Sequence, residues 1–353
     1  MEMSKLKKIL IYLISFITIC FILPAIFTNR TAKTSTNDIG EEKTTDKSSG
    51  ETVVETTENT STSEYEYQKY GTINLLHTST GKVEQVKIDD YLCNVVSAEM
   101  PANFDSKALE AQAIVARTYT IYQIKHNSQK HENADICDNY ACCQAWISKE
   151  ERFTKWKQEE AEQNWNKIVD CVNSTTNKIV TYNGEPINAF FHSNSGGITE
   201  SSVNVWGGID YPYLKAVETA GEDGYTQFAS QVQLKKDELL KKLKETYSDC
   251  EIDFSKEDCV KIIDYTTSGR VKTIKFGNKE IAGTEARKIL GLKSTNFIVE
   301  IGENEITFSV KGNGHGVGMS QTGADSMAKS GANYEEIIKH FYTNVEITEL
   351  KSL

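Results

Sequence analysis

Glu99 is the residue whose position in the sequence points most directly to chemistry. It follows Leu92, Val95 and Val96 by seven, four and three residues, so its carboxyl group shares the apolar face of a predicted helix. Burial on that face raises the pKa of a carboxyl group, and the negative end of the helix acts in the same direction. A carboxyl group that stays protonated near neutral pH can serve as a general acid. The alternative is a structural glutamate, paired for example with Arg117 on the next helix.

A second group of reactive side chains lies within residues 131–143. It consists of His131, Cys137, Cys142 and Cys143. Thiolates with one imidazole suit tetrahedral Zn²⁺, and four ligands leave no open position, which is typical of a structural metal. The alternative is one or two disulfides in an exported protein, with Cys137 bonded to either of the adjacent cysteines. The spacing alone leaves both interpretations open.

Two glycine-rich segments carry further polar side chains. In the first, residues 192–197, the side chains of His192, Ser193 and Ser195 precede two glycines that allow a ligand to approach the backbone closely. Imidazole and hydroxyl groups are suited to the directional hydrogen bonds of a sugar site. A polar turn is the alternative, and a serine nucleophile is disfavoured because no GxSxG motif is present.

The second segment, residues 312–324, contains His315 and Gln321 at a predicted strand-to-helix junction. It lacks the Lys-Ser/Thr ending of a phosphate loop, so nucleotide binding is poorly supported. A tight turn is again the alternative. Trp206 and residues 211–213 can add aromatic faces for sugar rings, or they belong to the core.

Two helices joined by a proline turn must position Glu99. Asp89 or Asp90 can cap the first helix, because a short carboxylate accepts hydrogen bonds from the free amides of the first turn. Pro101 ends this helix, since the residue before a proline is disfavoured in helical conformation.

The second helix is predicted to begin near Asp105 and to lie at the centre of the fold. Its broad apolar stripe and its small residues indicate that it is largely buried. Gln112 and Arg117 are its polar exceptions, and each is either a satisfied core group or part of a site.

The rest of the pattern adds hairpins and short helices. Alternating apolar residues and turn signals predict hairpins within 72–88, 179–192 and 259–276. Helices are predicted at 148–176, 235–247, 285–290, 324–329 and 334–342. These elements predict an α+β fold, a single domain of mixed helices and antiparallel strands around a central buried helix.

The composition narrows the classes of function. The chain has 353 residues with 39 basic and 50 acidic side chains, which gives a formal net charge of −11. No basic block is present, so nucleic acid is not a predicted partner. Cys171, Cys250 and Cys259 are scattered and are interpreted as small buried residues or pairable thiols.

The N-terminal 30 residues predict a membrane anchor. Lys5, Lys7 and Lys8 precede residues 9–27, which carry no charge and are long enough to cross a bilayer. The basic side stays in the cytoplasm, so residues 1–30 form a cytoplasmic tip and a transmembrane helix, and the bulk of the chain is extracytoplasmic. A cleaved signal peptide is the alternative, but no small-x-small cleavage site follows the apolar run.

Residues 31–64 predict a disordered linker. They are rich in Thr, Ser, Glu and Lys, and such a segment cannot bury enough apolar surface to fold. The linker would give the predicted domain, residues 65–353, reach beyond the membrane surface.

Three blocks of sequence together resemble the stage II sporulation protein D family. They are SAEMP and ALEAQAIVARTYT within residues 97–120, AFFHSNSGGITESSVNVWGG at 189–208 and GNGHGVGMSQTGADSMAKSGANYEEIIKHFYTN at 312–344. They occur in the order typical of the family and span most of residues 70–350. Members are lytic transglycosylases that cut peptidoglycan glycan strands during engulfment of the forespore, so the resemblance implies that activity here.

The resemblance also implies roles for particular residues. Glu99 would protonate the β-1,4 bond from N-acetylmuramic acid to N-acetylglucosamine and then take a proton from the C6 hydroxyl, which leaves a 1,6-anhydro end. Because the substrate supplies the nucleophile, a second carboxylate such as Glu200 or Asp210 is not required. The expected substrate-binding residues are Gln112, Arg117, His192, Ser193, Ser195, His315 and Gln321.

Cofactor, partners and location follow from the same resemblance. Some members hold zinc in the cysteine loop, which favours structural Zn²⁺ on His131, Cys137, Cys142 and Cys143. The family implies a complex with the sporulation amidase (stage II protein P) and a multi-pass membrane protein (stage II protein M), on the mother-cell side of the septum facing the intermembrane space. Two other functions remain open, a non-catalytic wall-binding enhancer of an N-acetylmuramoyl-L-alanine amidase and a zinc hydrolase that uses the His131 cluster.

Overall fold

Helix α2 (Ser106–His126) runs through the first hydrophobic core, as the sequence predicts for the central helix. The structure is a computed structural model that describes residues 70–126 and 130–350. Small side chains such as Ala111 and Ala116 are fully buried, which lets neighbouring elements approach the axis of α2 closely. The described residues belong to one compact unit, and it contains two hydrophobic cores.

The helices of the described residues surround α2 or belong to the second core. In chain order they are α1 (Ile88–Glu99), α2, α3 (Lys149–Lys155), α4 (Gln158–Asn173), α5 (Ser202–Trp206), α6 (Lys236–Thr246), α7 (Gly283–Leu290), α8 (Gln321–Lys329) and α9 (Tyr334–Phe341). Helices α1, α4, α8 and α9 pack against α2.

The strands form small sheets at the edges of the two cores. They are β1 (Thr72–His77), β2 (Lys82–Lys87), β3 (Ile136–Cys137), β4 (Lys178–Tyr182), β5 (Glu185–Pro186), β6 (Phe191–His192), β7 (Ala229–Lys235), β8 (Val260–Tyr265), β9 (Val271–Phe276), β10 (Lys279–Ala282), β11 (Asn296–Ile301), β12 (Glu305–Lys311), β13 (Met319–Ser320) and β14 (Glu346–Glu349). Around the first core the sheet orders are β2-β1-β3 and β14-β4-β5, and β6 pairs with β13.

The second core lies within residues 229–311, which are called the second lobe below. Two antiparallel sheets, ordered β11-β12-β7 and β10-β9-β8, pack with helices α6 and α7 around buried side chains that include Phe276 and Phe308. The lobe is inserted between the two glycine-rich segments and therefore can contribute residues from the middle of the chain to a site built on both.

The α+β class is confirmed, and the structure differs from the predictions in local detail. Two strand pairs, β1–β3 and β6–β13, are parallel rather than antiparallel. The predicted helix at 148–176 is divided into α3 and α4, because Trp156 and Lys157 have extended backbones. The rings of Phe153 and Trp156 lie 6.1 Å apart beside this break.

The predicted cap of α1 is wrong. Helix α1 begins one residue before Asp89, and its N-cap residue Lys87 makes no side-chain capping bond. Asp89 lies in the first turn and instead accepts a hydrogen bond from the guanidinium of Arg117 at 3.0 Å. The predicted end of α1 is confirmed, since Met100 before Pro101 is extended.

The predicted anchor and linker fall on residues 1–64, which lie outside the described residues. Within the part of the chain that the structure describes, no helix is long and apolar enough to cross a membrane.

Substitution of Arg117 tests the hydrogen bonds that hold α2 in place. It is fully buried, and besides Asp89 its guanidinium donates to the carbonyl oxygens of Thr175 (2.7 Å), Lys178 (3.2 Å) and Val172 (3.4 Å). Lysine cannot span these acceptors, so Arg117→Lys is expected to lower the free energy of unfolding by about 3 kcal/mol or more, measured by denaturant unfolding.

The control is Lys125→Met on the same helix. Lys125 forms a largely exposed ion pair with Glu185, so its loss is expected to cost about 1 kcal/mol or less. Coincident unfolding curves for the two variants would contradict the structural role of Arg117.

Candidate active site

Glu99 is the last residue of α1, and two hydrogen bonds hold its carboxyl group. Oε1 accepts from the backbone N–H of Ala145 at 2.7 Å, and Oε2 accepts a longer bond from Nε2 of Gln321 at 3.3 Å. The alternative pairing with Arg117 does not occur, because the Arg117 guanidinium is bonded to Asp89 and to carbonyl oxygens. Glu99 therefore joins α1 to two other parts of the chain through its side chain.

The surroundings of Glu99 favour the protonated carboxyl group. Part of the residue is open to a cleft, while protein atoms surround the carboxyl group. This burial raises the pKa of Glu99, and the hydrogen bonds from Ala145 and Gln321 offset the rise only in part. The raised pKa of Glu99 is the shift that its position on the apolar face of the helix predicts.

The cleft has a volume of about 680 Å³ and is lined mainly by aromatic, imidazole and thiol side chains. Tyr119 of α2, Phe190 and Trp206 supply the aromatic surface, and Glu99 is the one carboxyl group among the described residues that line it. A larger groove of about 1250 Å³ between α2 and α4 contains none of the predicted site residues.

His192 and His315 lie side by side in the cleft with ring centroids 5.6 Å apart. Nδ1 of His192 donates to the carbonyl of Val317 at 3.2 Å, which leaves Nε2 as an acceptor without a partner among the described residues. Nδ1 of His315 accepts from the backbone N–H of Val317 at 3.0 Å, so its Nε2 carries the proton.

Both imidazoles are neutral hydrogen-bonding groups. Burial and the nearby Arg270 guanidinium lower the pKa of His192 to about 3. Burial lowers the pKa of His315 well below its ordinary value, and His192 and the arginines of the second lobe act in the same direction. Neither ring is therefore protonated at neutral pH, and each acts only through the hydrogen bonds of the neutral imidazole.

The other predicted site residues are dispersed. Gln321 begins α8 and contacts Glu99, and Ser193 is half-buried with its carbonyl bonded to the N–H of Thr322. Gln112 and Arg117 are fully buried on α2 and do not line the cleft. The structure thus assigns Arg117 to the core, while the Gln112 amide has no partner among the described residues.

Ser195 is buried and faces Glu222, a residue that the sequence did not single out. Glu222 accepts from the N–H and hydroxyl of Ser195, from the N–H of Gly197, and from the hydroxyls of Ser320 and Thr322. This carboxylate therefore fastens the first glycine-rich segment to the second, and Ser195 supports the cleft rather than lining it.

Arg287 is a second residue that sequence reasoning missed. It lies on α7 of the second lobe, is half-buried and lines the cleft, where its guanidinium donates to the carbonyl of Leu292 at 3.3 Å. Nothing in the local sequence signals this position, because the second lobe reaches the cleft only through the tertiary fold.

The two further carboxylates considered from the sequence are engaged elsewhere. Glu200 is buried and accepts from Ser201, Asn204, Thr266 and Ser268. Asp210 forms an exposed ion pair with Lys215 at 2.9 Å. Neither lines the cleft.

The four predicted metal ligands come together. The donor atoms of His131, Cys137, Cys142 and Cys143 all lie within 4.8 Å of one another. Nε2 of His131 is 3.3 Å from Sγ of Cys143 and 3.7 Å from Sγ of Cys142, and the two sulfurs are 4.0 Å apart. The three cysteines are free thiols, so the alternative disulfide is not formed. The chain thus contains a His/Cys cluster with the composition of a metal site.

Fold and site together define an α+β protein with a single enclosed carboxyl group in an aromatic cleft beside a His/Cys cluster. The family model described as Stage II sporulation protein matches residues 76–182. The chain is 33% identical to stage II sporulation protein D of Bacillus amyloliquefaciens over 282 residues, which cover 79% of each protein. It is 34% identical to stage II sporulation protein D of Bacillus subtilis over 278 residues, 78% of this chain and 79% of that protein.

The chain therefore belongs to the stage II sporulation protein D family, as the three blocks of sequence predict. It is also 30% identical to the amidase enhancer of Bacillus subtilis over 305 residues, which are 73% of this chain and 40% of that protein.

Glu222→Gln tests the connection between the two glycine-rich segments. The amide would direct hydrogens at groups that now donate to the carboxylate, so the free energy of unfolding is expected to fall by about 3 kcal/mol. Hydrogen exchange should also increase at residues 194–197 and 320–323. The control is Asp223→Asn at the exposed neighbouring position, and equal stability of the two variants would contradict the role of Glu222.

Proposed function

We propose that this chain is a peptidoglycan lytic transglycosylase that acts in forespore engulfment. It would cleave the β-1,4 bond from N-acetylmuramic acid to N-acetylglucosamine. The observation that carries the proposal is Glu99, a carboxyl group with a raised pKa in a cleft that holds no other carboxyl group among the described lining residues. Glycoside cleavage with one carboxyl group is what a lytic transglycosylase requires, whereas hydrolysis usually uses two.

Glu99 serves in turn as acid and base. Oε1 is engaged by the N–H of Ala145, so Oε2, with its longer contact to Gln321, is the oxygen that carries the proton. It protonates the glycosidic oxygen as the bond to C1 of the muramic sugar breaks. The resulting carboxylate takes the proton from the C6 hydroxyl of the same sugar, O6 bonds to C1, and the product has a 1,6-anhydro ring.

The rest of the cleft orients the sugars. Tyr119, Phe190 and Trp206 offer faces on which the apolar side of a sugar ring can pack. Nε2 of His192 can accept a hydrogen bond from a sugar hydroxyl, whereas the ring of His315 is held by the backbone of Phe191 and Val317 and forms part of the cleft wall. Correct positioning of this kind contributes to the rate without a second titrating group.

A second candidate function is a non-catalytic enhancer of a wall amidase. The similarity to the Bacillus subtilis amidase enhancer favours it. Such a protein would bind glycan in the same cleft, but purified glycan strands would stay intact.

Partners of the proposed enzyme would be the sporulation amidase and the multi-pass membrane protein, with the chain held at the membrane through residues 9–27.

The His/Cys cluster would hold a structural Zn²⁺. Bond lengths of about 2.3 Å to sulfur and about 2.0 Å to nitrogen place the ligand atoms of a tetrahedral zinc site about 3.5–3.8 Å apart. The distances from His131 to Cys142 and Cys143 are close to this range. Zinc bound there would hold together the loop that supplies the N–H of Ala145 to Glu99. Four protein ligands leave no position for a catalytic water, which disfavours the zinc hydrolase.

Glu99→Gln is expected to lower turnover of purified glycan strands about 100-fold or more, because the amide cannot transfer a proton. For the unchanged protein, turnover should fall as the pH rises through the raised pKa of Glu99. The control is Glu110→Gln, since Glu110 is 7% exposed and pairs with Lys107 in a different groove. Full activity of Glu99→Gln would overturn the assignment.

The same substitution has a predicted effect on stability. The pKa of Glu99 in the folded protein lies above its ordinary value of 4.5. At a pH above the pKa of Glu99 in the unfolded chain, ionisation of this group therefore destabilises the fold. Glu99→Gln should therefore be at least as stable as the parent protein at pH 7, and any advantage should shrink toward about pH 4. A less stable variant at pH 7 would show that Glu99 is a structural residue.

Cys137→Ser tests the metal. It is expected to reduce bound zinc and to lower the unfolding temperature, since the free energy of binding a structural zinc contributes to folding. Cys171→Ser is the control, because Cys171 is a buried free thiol outside the cluster. A disulfide at Cys137 in the exported protein, with no bound metal, would contradict the proposal.

A further inference from the structure

A basic pocket with a volume of about 470 Å³ lies at the side of the second lobe that adjoins the cleft. Thr284, Arg287 and Lys288 of helix α7 form one part of its lining, since residues three and four apart share a face of a helix. Lys293 and Asn313 complete the polar part. None of the described residues that line the pocket is acidic.

The three cationic side chains of the pocket have no counter-charge. Arg287, Lys288 and Lys293 form no ion pair with any described residue. The acid of α7, Glu285, is bonded to the hydroxyl of Tyr247 instead. Burial lowers the pKa of Arg287, and no carboxylate acts against this shift. A half-buried guanidinium that lacks a counter-charge has lost part of its hydration, at a cost that a bound anion would offset.

Hydrogen bonds hold the cationic wall in position. The Nε–H of Arg287 donates to the carbonyl of Leu292 at 3.3 Å, which leaves the terminal nitrogens of the guanidinium without a partner among the described residues. The carbonyl of Lys293 accepts from the N–H of Gly314 at 2.9 Å. The second lobe and the second glycine-rich segment therefore build the pocket together.

The pocket adjoins the cleft of Glu99. Arg287 and Asn313 line both of them. The positive charge of Arg287 also acts within the cleft, since it contributes to the lowered pKa of His192 and of His315. An elongated ligand that lies in the cleft can therefore place an anionic group in the pocket.

A phosphate group has the chemistry that matches these walls. Its oxygens are arranged tetrahedrally, so they can accept hydrogen bonds on several sides at once from guanidinium, ammonium, hydroxyl and amide donors. A carboxylate presents two oxygens in one plane. The pocket is also larger than a free phosphate ion, which favours a phosphate that carries substituents. We infer that this pocket binds a phosphodiester unit of an anionic polymer, which continues from the pocket into the cleft.

The test measures binding of the full-length protein to four soluble probes by calorimetry. They are an oligomer of glycerol phosphate, glycerophosphoglycerol, inorganic phosphate and an oligomer of glutamate. The glycerol phosphate oligomer is expected to bind at least about tenfold more tightly than the other three, because it alone joins a phosphodiester to further contacts in the cleft.

Each of the other outcomes would overturn the inference. Equally tight binding of glycerophosphoglycerol, which is the headgroup of a phospholipid, would indicate a lipid site. Equally tight binding of inorganic phosphate would indicate a site for the free ion, and equally tight binding of the glutamate oligomer would indicate a site that does not select phosphate. Failure to bind the glycerol phosphate oligomer would show that the pocket is not an anion site.

Substitutions locate the binding in the pocket. Replacing both lysines, Lys288→Met with Lys293→Met, should weaken binding of the glycerol phosphate oligomer about tenfold or more, because two charge-assisted hydrogen bonds are lost. Both side chains are exposed, so the unfolding temperature should not change. The matched control is Lys241→Met with Lys244→Met, which removes the same charge from exposed positions of α6 outside the pocket. Arg287→Lys keeps the charge but loses the planar fork, so it should also weaken binding.

Unchanged affinity after replacement of the two pocket lysines, or an equal loss in the α6 control, would contradict the inference. Binding of these probes does not require glycan cleavage. Failure of this inference therefore leaves the proposed function intact, and an inactive Glu99 cleft would leave the phosphate site intact.

Discussion

Burying a carboxylate costs free energy unless the group accepts hydrogen bonds or stays protonated. This constraint governs the arrangement of the fold. Glu222 accepts five hydrogen bonds, Glu200 accepts four and Asp325 accepts three, and for each of them at least two donors lie more than 20 residues away in the sequence. Glu99 accepts two, one of them long. The three carboxylates that accept three or more hydrogen bonds therefore hold segments of the chain together, whereas Glu99, which accepts two, faces the cleft.

The carboxylate of Glu222 holds the two glycine-rich segments in contact. Glycine is required where the segments meet. Gly312 has a φ of +80°, and a Cβ there would lie 2.8 Å from the carbonyl oxygen of Asn194. A Cβ on Gly316 would lie 2.6 Å from the guanidinium of Arg270, which itself donates to the carbonyl of Ser195 at 2.6 Å. Gly312 thus allows close backbone approach, Gly316 leaves room for the guanidinium of Arg270, and the second lobe helps to position the cleft through Arg270.

The sequence predicts those features that depend on local spacing. The helical period places Glu99 on the apolar face of α1, the apolar stripe identifies α2 as the central helix, and four ligand-type residues within one loop indicate the His/Cys cluster. It fails where a role depends on tertiary contacts. The polar side chain of Arg117 suggests a ligand-binding residue, but Arg117 belongs to the core. Arg287 reaches the cleft from a segment that contains no motif. The parallel pairing of β6 with β13 is likewise invisible locally, because its strands are two residues long and far apart in sequence.

The central claim is that Glu99 works alone and that the substrate provides the nucleophile. It is tested most directly by digesting purified glycan strands in ¹⁸O-labelled water and analysing the products by mass spectrometry. The account predicts fragments that end in 1,6-anhydro-N-acetylmuramic acid, lighter by one water than reducing-end fragments and free of ¹⁸O. Reducing ends that carry one ¹⁸O would show that water is the nucleophile and would contradict the account.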